Sequence, residues 1–204
     1  TSPLARQDGF SLVELMVVTA LLSVILAAAY MAIDMVTVVS DGIMARNQAQ
    51  DQGQLAVEKM VRELRMVQPT SDDKRFPVME AKRVMFYADI NHDGLLDRVT
   101  YTVSGSTLTR AVAYSGDIEP ASTDFGPDST PVKIAEVDPS VGTVFQYWNN
   151  GPGNTTPTTT TKQSDVMAVK ISLTTAATSG SQKVAVAIPT TTVHMRANDQ
   201  GLRD

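Results

Sequence analysis

Two groups of residues in this 204-residue chain have the type and spacing to do chemistry. The first is "DINHDGLLD", where Asp89, Asn91 and Asp93 alternate, Gly94 follows, and Asp97 comes four residues after Asp93. Alternating oxygen donors followed by a glycine form the first half of a calcium-binding loop, with the Leu95 carbonyl as a further ligand. The twelfth position is Thr100, so the usual bidentate Glu is missing, and the flanks alternate like strands rather than helices. A hairpin turn that uses Asp, Asn and Gly for their backbone preferences fits the same residues. Both readings stand at this point, and calcium, if bound, would stiffen a hairpin rather than react. The second group centres on Glu14. It is the one charge between Phe10 and Ile33, a run of 24 residues.

Other chemistry is excluded by what the sequence lacks. There is no cysteine, hence no disulfide framework, thiolate nucleophile or thiolate metal site. His92 and His194 are the only histidines, and neither has the close spacing of a metal motif. No GxSxG, phosphate-binding glycine loop or nucleotide fingerprint occurs, so nothing marks an enzyme. A formal net charge of -5 argues against nucleic acid as a partner of the isolated chain.

The elements that carry these residues follow from pattern. Leu15 to Ile33 is an uncharged run of 19 residues without Pro or Gly, about 28 Å as a helix and close to the hydrocarbon thickness of a bilayer. Further on, Val57, Met60, Val61, Leu64 and Val67 form a stripe at spacings of three and four. Glu58–Arg62 and Lys59–Glu63 are opposite charges four apart on the remaining faces. One helix is expected from Phe10 to Gln68, apolar all round to residue 33, amphipathic over 34–68, and ended by Pro69. Gly42 and Gly53 make 37–54 the expected place for it to bend or fray.

After residue 69 the period changes to two. Val84, Phe86, Ala88 and Ile90 share one side of "RVMFYADI", and Val99, Tyr101 and Val103 share one side of "DRVTYTV". The turn between them holds "NHDG", and a third strand is expected at 106–114. Segments 132–137, 143–148, 166–175 and 183–197 are rich in β-branched residues. The loops at 115–131 and 149–163 are rich in Pro, Gly and Thr; the second reads as a solvated linker. The fold class is α+β: a long N-terminal helix whose amphipathic half packs on a mainly antiparallel sheet over 69–204.

Three readings fit the N-terminal run. A secretory signal would be shorter and cut after small residues, which "ILAAAYMA" supplies. A plain single-span anchor fits the length but leaves Glu14 unexplained, since an acid within lipid costs a few kcal/mol and usually has a partner. The third is carried by "GFSLVE", residues 9–14, which resembles the processing motif of type IV prepilins.

That resemblance implies a leader over 1–9, preceded by a few further residues since the chain starts at Thr1. It implies cleavage by a prepilin peptidase between Gly9 and Phe10, N-methylation of Phe10, and a role for Glu14 in assembly. Glu14 would pair with the terminal amine of a neighbouring subunit and set its register, because unpaired charges in lipid are expensive. The leader departs from the pattern in holding one basic residue, Arg6, offset by Asp8. The partners implied are the peptidase, other pilin or pseudopilin subunits and the inner membrane. The exported domain would end in a cell-surface or periplasmic filament.

The absence of a proline from the apolar helix resembles minor pilins or pseudopilins more than major pilins. The order of "FYADINHDGLLDRVTY", "FQYW" and the paired C-terminal segments resembles W-type minor pilins and J-type minor pseudopilins. The presence of an acid at Glu14 disfavours the K-type pseudopilins, which characteristically lack it. The competing function is a single-span exported binding module, calcium-binding or otherwise, that joins no filament.

Overall fold

The computed structural model describes residues 11–116, 121, 124–149, 159–163, 166–179 and 182–195. The fold is α+β: among the described residues, one helix, α1 (Leu12–Leu64), is followed by ten strands. The chain divides into two compact units, Thr1–Met44 and Ala45–Asp204.

In the first unit every side chain from Leu12 to Val39 is exposed. Three of its hydroxyls turn inward on the backbone. Thr19 donates to the Leu15 and Met16 carbonyls at 3.0 Å, Ser23 to Ala20 at 2.7 Å, and Thr37 to Asp34 at 2.8 Å. Such local bonds satisfy a hydroxyl inside an apolar helix without a partner from elsewhere.

In the second unit the helix buries a stripe at spacings of four and three: Ala49, Gly53, Ala56, Met60 and Glu63, joined by Val57 and Leu64. The expected fraying at 37–54 is not found, since the helical hydrogen-bond pattern of α1 runs without a break from Leu12 to Leu64. Gly53 serves a different purpose. A Cβ there would lie 2.5 Å from Ile188 Cδ1 and 2.7 Å from Thr175 Cγ2, so only glycine lets the helix approach this closely. The helix also ends earlier than Gln68. Met66 N–H bonds to the Glu63 carbonyl at 3.0 Å, tightening the last turn, and Gln68 N–H donates to the Tyr87 carbonyl at 2.9 Å. The chain has thus left the helix to bridge the sheet before Pro69 is reached.

One sheet is expected from the sequence, and the described residues form three. The first is a five-stranded antiparallel meander of β1 (Val78–Met79), β2 (Arg83–Ala88), β3 (Asp97–Ser104), β4 (Thr107–Tyr114) and β5 (Val132–Glu136), in that order. Its register sets Phe86 opposite Val99 and Val99 opposite Val112. The alternation read from sequence holds: Val84, Phe86, Ala88, Val99, Tyr101 and Val103 all enter the core. Phe86 and Tyr101 stack at 6.2 Å between centroids.

The segments at 166–175 and 183–197 each split into two strands rather than forming one. β7 (Ala168–Ile171) lies between β6 (Phe145–Trp148) and β10 (Thr191–His194), while β8 (Thr174–Ser179) and β9 (Gln182–Ala187) form a separate hairpin. The breaks fall at Ser172–Leu173 and Ile188–Thr190, where Ser172 N–H bonds to Val144 and Ile188 N–H to Leu173. Pro189, which has no N–H to give a ladder, lies in the second break. Leu173 and Ile188 remain in the core, so the change of sheet keeps both apolar side chains buried. Fully burying a side chain of this size contributes roughly 1.5–3 kcal/mol.

Both long loops contact the strands where they are described, so the second is more than the solvated linker expected. Phe125 packs with Tyr87, Leu96 and Ala113 on the sheet face away from the main core. Arg98 fastens that segment by bonding the Gly126 carbonyl at 3.0 Å and Asp128 at 2.9 Å, with its guanidinium over the Phe125 ring. In the Thr-rich loop, Thr160 is buried and donates its N–H to the Tyr147 carbonyl at 2.9 Å. Residues 150–158 lie outside the described residues.

Candidate functional site

Gly9 and Phe10, expected at the processing point, lie outside the described residues. Glu14 is in the first turn of α1, where the Leu15 N–H bonds to the Ser11 carbonyl at 3.1 Å. A carboxylate in a first turn interacts favourably with the free N–H groups and the helix dipole. Its side chain is exposed and, among the described residues, has no ion-pair partner. The apolar run after it is long enough to cross a bilayer, and none of it is buried in the protein. What this arrangement can do is enter an apolar environment, lipid or other helices, with one carboxylate near its leading end.

The acidic hairpin loop joins β2 to β3. Each of its first three oxygen-bearing side chains uses one oxygen to hold the turn. Asp89 Oδ2 accepts from Gly94 N–H at 3.1 Å, Asn91 Oδ1 from Asp93 N–H at 3.3 Å, and Asp93 Oδ1 from Leu95 N–H at 2.8 Å. His92 and Gly94 both adopt positive φ, 61° and 85°, which the turn requires. Asn91 Nδ2 donates to Asp93 Oδ2 at 2.7 Å. Asp89 Oδ1 is buried without a hydrogen-bond partner. Asp97 opens β3 at 1% exposure and accepts from Ile90 N–H at 3.3 Å. Burial raises its carboxyl pKa; Ile90 N–H opposes the rise, and Asp93 and Asp89 add to it. Among the described residues, no three His, Asp or Glu side chains are gathered closely enough to hold a metal as they stand.

Sequence reasoning missed two features. His92 and His194, far apart in the chain, line one open groove of about 820 Å³ with Arg62, Arg65 and Asp89. No sequence spacing signals this, because β10 and the hairpin loop meet only in the fold. The other is Glu63, expected to pair with Lys59 on the solvent side. It faces inward instead: its Oε1 lies 3.0 Å from Arg110 Nη2, and its Oε2 accepts from Arg110 Nε at 3.0 Å and Tyr101 OH at 2.7 Å. Burial drives the Tyr101 phenol pKa up strongly, and Glu63 adds to it by its charge and hydrogen bond. Burial opposes the charge on Arg110, but its contacts with Glu63 outweigh this and keep its pKa raised. The triad ties the helix to β3 and β4. The signal for it was the stripe: Glu63 is three residues from Met60 and seven from Ala56, on the buried side.

Comparison with known families gives a match to the prokaryotic N-terminal methylation motif over residues 4–30. No curated protein and no solved structure matches the chain. The chain therefore carries a prepilin-type methylation motif, which supports the type IV pilin-like family and spans the expected positions Gly9, Phe10 and Glu14.

Proposed function

We propose that this chain is a minor pilin or minor pseudopilin: a structural subunit that a prepilin peptidase processes and that enters a type IV pilus-like filament. The observation that carries the reading is the methylation motif at 4–30 running directly into a helix whose apolar half is wholly exposed. In this reading the chain waits as a single-span protein of the inner membrane with its β-rich unit exported. The peptidase cuts between Gly9 and Phe10 and methylates Phe10. The helix then leaves lipid for a bundle of like helices, and Glu14 pairs with the terminal amine of a neighbour. A subunit docked at the wrong height leaves two buried charges unmatched, which is how one carboxylate specifies register.

Its role is that of a minor subunit that helps start or cap assembly. The unbroken helix without proline supports this, as does a C-terminal layout resembling W-type pilins and J-type pseudopilins. The partners are other pilin or pseudopilin subunits, and the work is structural rather than catalytic.

The test is coexpression with a prepilin peptidase and mass spectrometry of the mature N-terminus. The expected product begins at N-methylated Phe10. An intact leader, or a cut near residue 29, would sink the proposal.

A further inference from the structure

We infer that the groove lined by Arg62, Arg65, His92 and His194 binds a short acidic segment of a partner protein, one that carries apolar side chains between its carboxylates. Three elements converge to build it. The last turns of α1 supply the two arginines, the loop after β2 supplies His92, and the end of β10 supplies His194. Both histidines of a chain with a formal net charge of -5 are gathered here. The groove measures about 820 Å³, within the roughly 300–1,000 Å³ of ordinary ligand sites.

These four side chains are available to a ligand. All are exposed, and among the described residues none makes an ion pair or a side-chain hydrogen bond. By contrast, Arg98 and Arg110 are each spent on an internal carboxylate, at 2.9 and 3.0 Å. Arg62 and Arg65 are three residues apart and so share a helix face, and a guanidinium can grip a carboxylate through two parallel hydrogen bonds. Val61, Met66 and Val67, half-buried against the main core, give the groove an apolar lining. Glu58 and Asp89 line it too, and Asp89 is engaged in its own loop, where Oδ2 accepts from Gly94 N–H. Two arginines balance these two acids while the histidines are neutral. Four cations outweigh them once the histidines are charged, a change that histidine undergoes between about pH 8 and pH 5.

The same charges select the occupant. A two-fold contact between copies through this groove would set like cations against one another, which disfavours a second copy of this chain. The net charge of -5 repels a long polyanion, which favours a short acidic stretch over nucleic acid. The site lies wholly within the unit Ala45–Asp204 and does not depend on the fate of the N-terminal motif.

The experiment uses the full chain in detergent micelles and a fluorescent synthetic peptide that alternates glutamate with valine, followed by anisotropy at low salt. A control peptide has glutamine in place of every glutamate. The glutamate peptide is expected to bind roughly tenfold tighter than the control, and to lose roughly tenfold or more in the double variant Arg62→Ala, Arg65→Ala. Both arginines are exposed, so that variant should fold normally. Binding should tighten roughly three- to tenfold from about pH 7.5 to about pH 6, where glutamates stay ionised. The double variant His92→Asn, His194→Gln should lose that gain; asparagine tolerates the positive φ of 61° at residue 92. Equal binding of the two peptides would overturn the inference, as would unchanged binding in the arginine variant or a pH gain that survives loss of both histidines. Self-association of the chain that the peptide competes away would overturn it as well, because a second copy would then be the occupant.

Discussion

The two ends of α1 contain one glutamate each that breaks the local pattern, and the protein treats them in opposite ways. Glu63 is buried, bridged twice by Arg110 and bonded by Tyr101. Glu14 is exposed and, among the described residues, unpaired, in a stretch whose apolar side chains are exposed as well. Near Glu63 the chain supplies its own partner for charge and for apolar surface. Near Glu14, among the described residues, it supplies neither. The difference separates an element that holds a fold from one that, in the proposed function, awaits assembly.

The largest expected effect is at the self-contained end. Glu63→Ala leaves Arg110 and Tyr101 without their acceptor, and breaking a buried pair in this way costs about 3–5 kcal/mol. Denaturant unfolding of the full chain in micelles, followed through the single Trp148, measures it. A loss under about 1 kcal/mol would mean that the triad is solvated and the contrast with Glu14 weaker than the geometry indicates.

Next is Ile25→Asp in the exposed half, which should disfavour membrane insertion by about 3–4 kcal/mol. The readout is the fraction of protein resistant to alkaline extraction, and full retention would show that this stretch does not sit in lipid. Gly53→Ala is smaller. Crowding against Ile188 and Thr175 costs about 1–3 kcal/mol, partly offset by roughly 1 kcal/mol of helix propensity. Net destabilisation is expected in the same unfolding experiment, and a stabilised variant would show that the close approach has slack. Glu14→Ala should change stability least, by under about 0.5 kcal/mol. Leader cleavage should persist while recovery in sheared filaments falls. Normal recovery would remove the register role proposed for Glu14.

Much of the fold was legible because both periods were clean. Val84, Phe86, Ala88, Val99 and Tyr101 alternate without exception, and each is 0% exposed. Val57, Met60 and Leu64 mark the buried helix face directly. The failures share a physical cause: small or charged residues were assigned by local habit when a distant contact decides. Gly53 reads as a weak point in the sequence because its neighbours there give no hint of Ile188. Lys59–Glu63 reads as a surface pair because Arg110 is 47 residues from Glu63. The division of the C-terminal segments into two sheets depends on where Leu173 and Ile188 find the core, which alternation alone does not encode. At the proposed sites, the motif around Glu14 was visible as a pattern. The orphaned oxygen of Asp89 and the groove shared by His92 and His194 needed coordinates.

Thr19, Ser23 and Thr37 give the exposed helix one more property. Their hydroxyls are already spent on carbonyls of the preceding turn. Hydroxyls closed on the backbone in this way have no hydrogen bonds to exchange when their surroundings change. Acyl chains and the flanks of other apolar helices then become nearly interchangeable solvents for it, and passage from one to the other need not break or remake a polar contact along these three turns. The charged exception between Leu12 and Ile33 is Glu14. The helix is thus close to neutral about its medium, and a single carboxylate carries its preference.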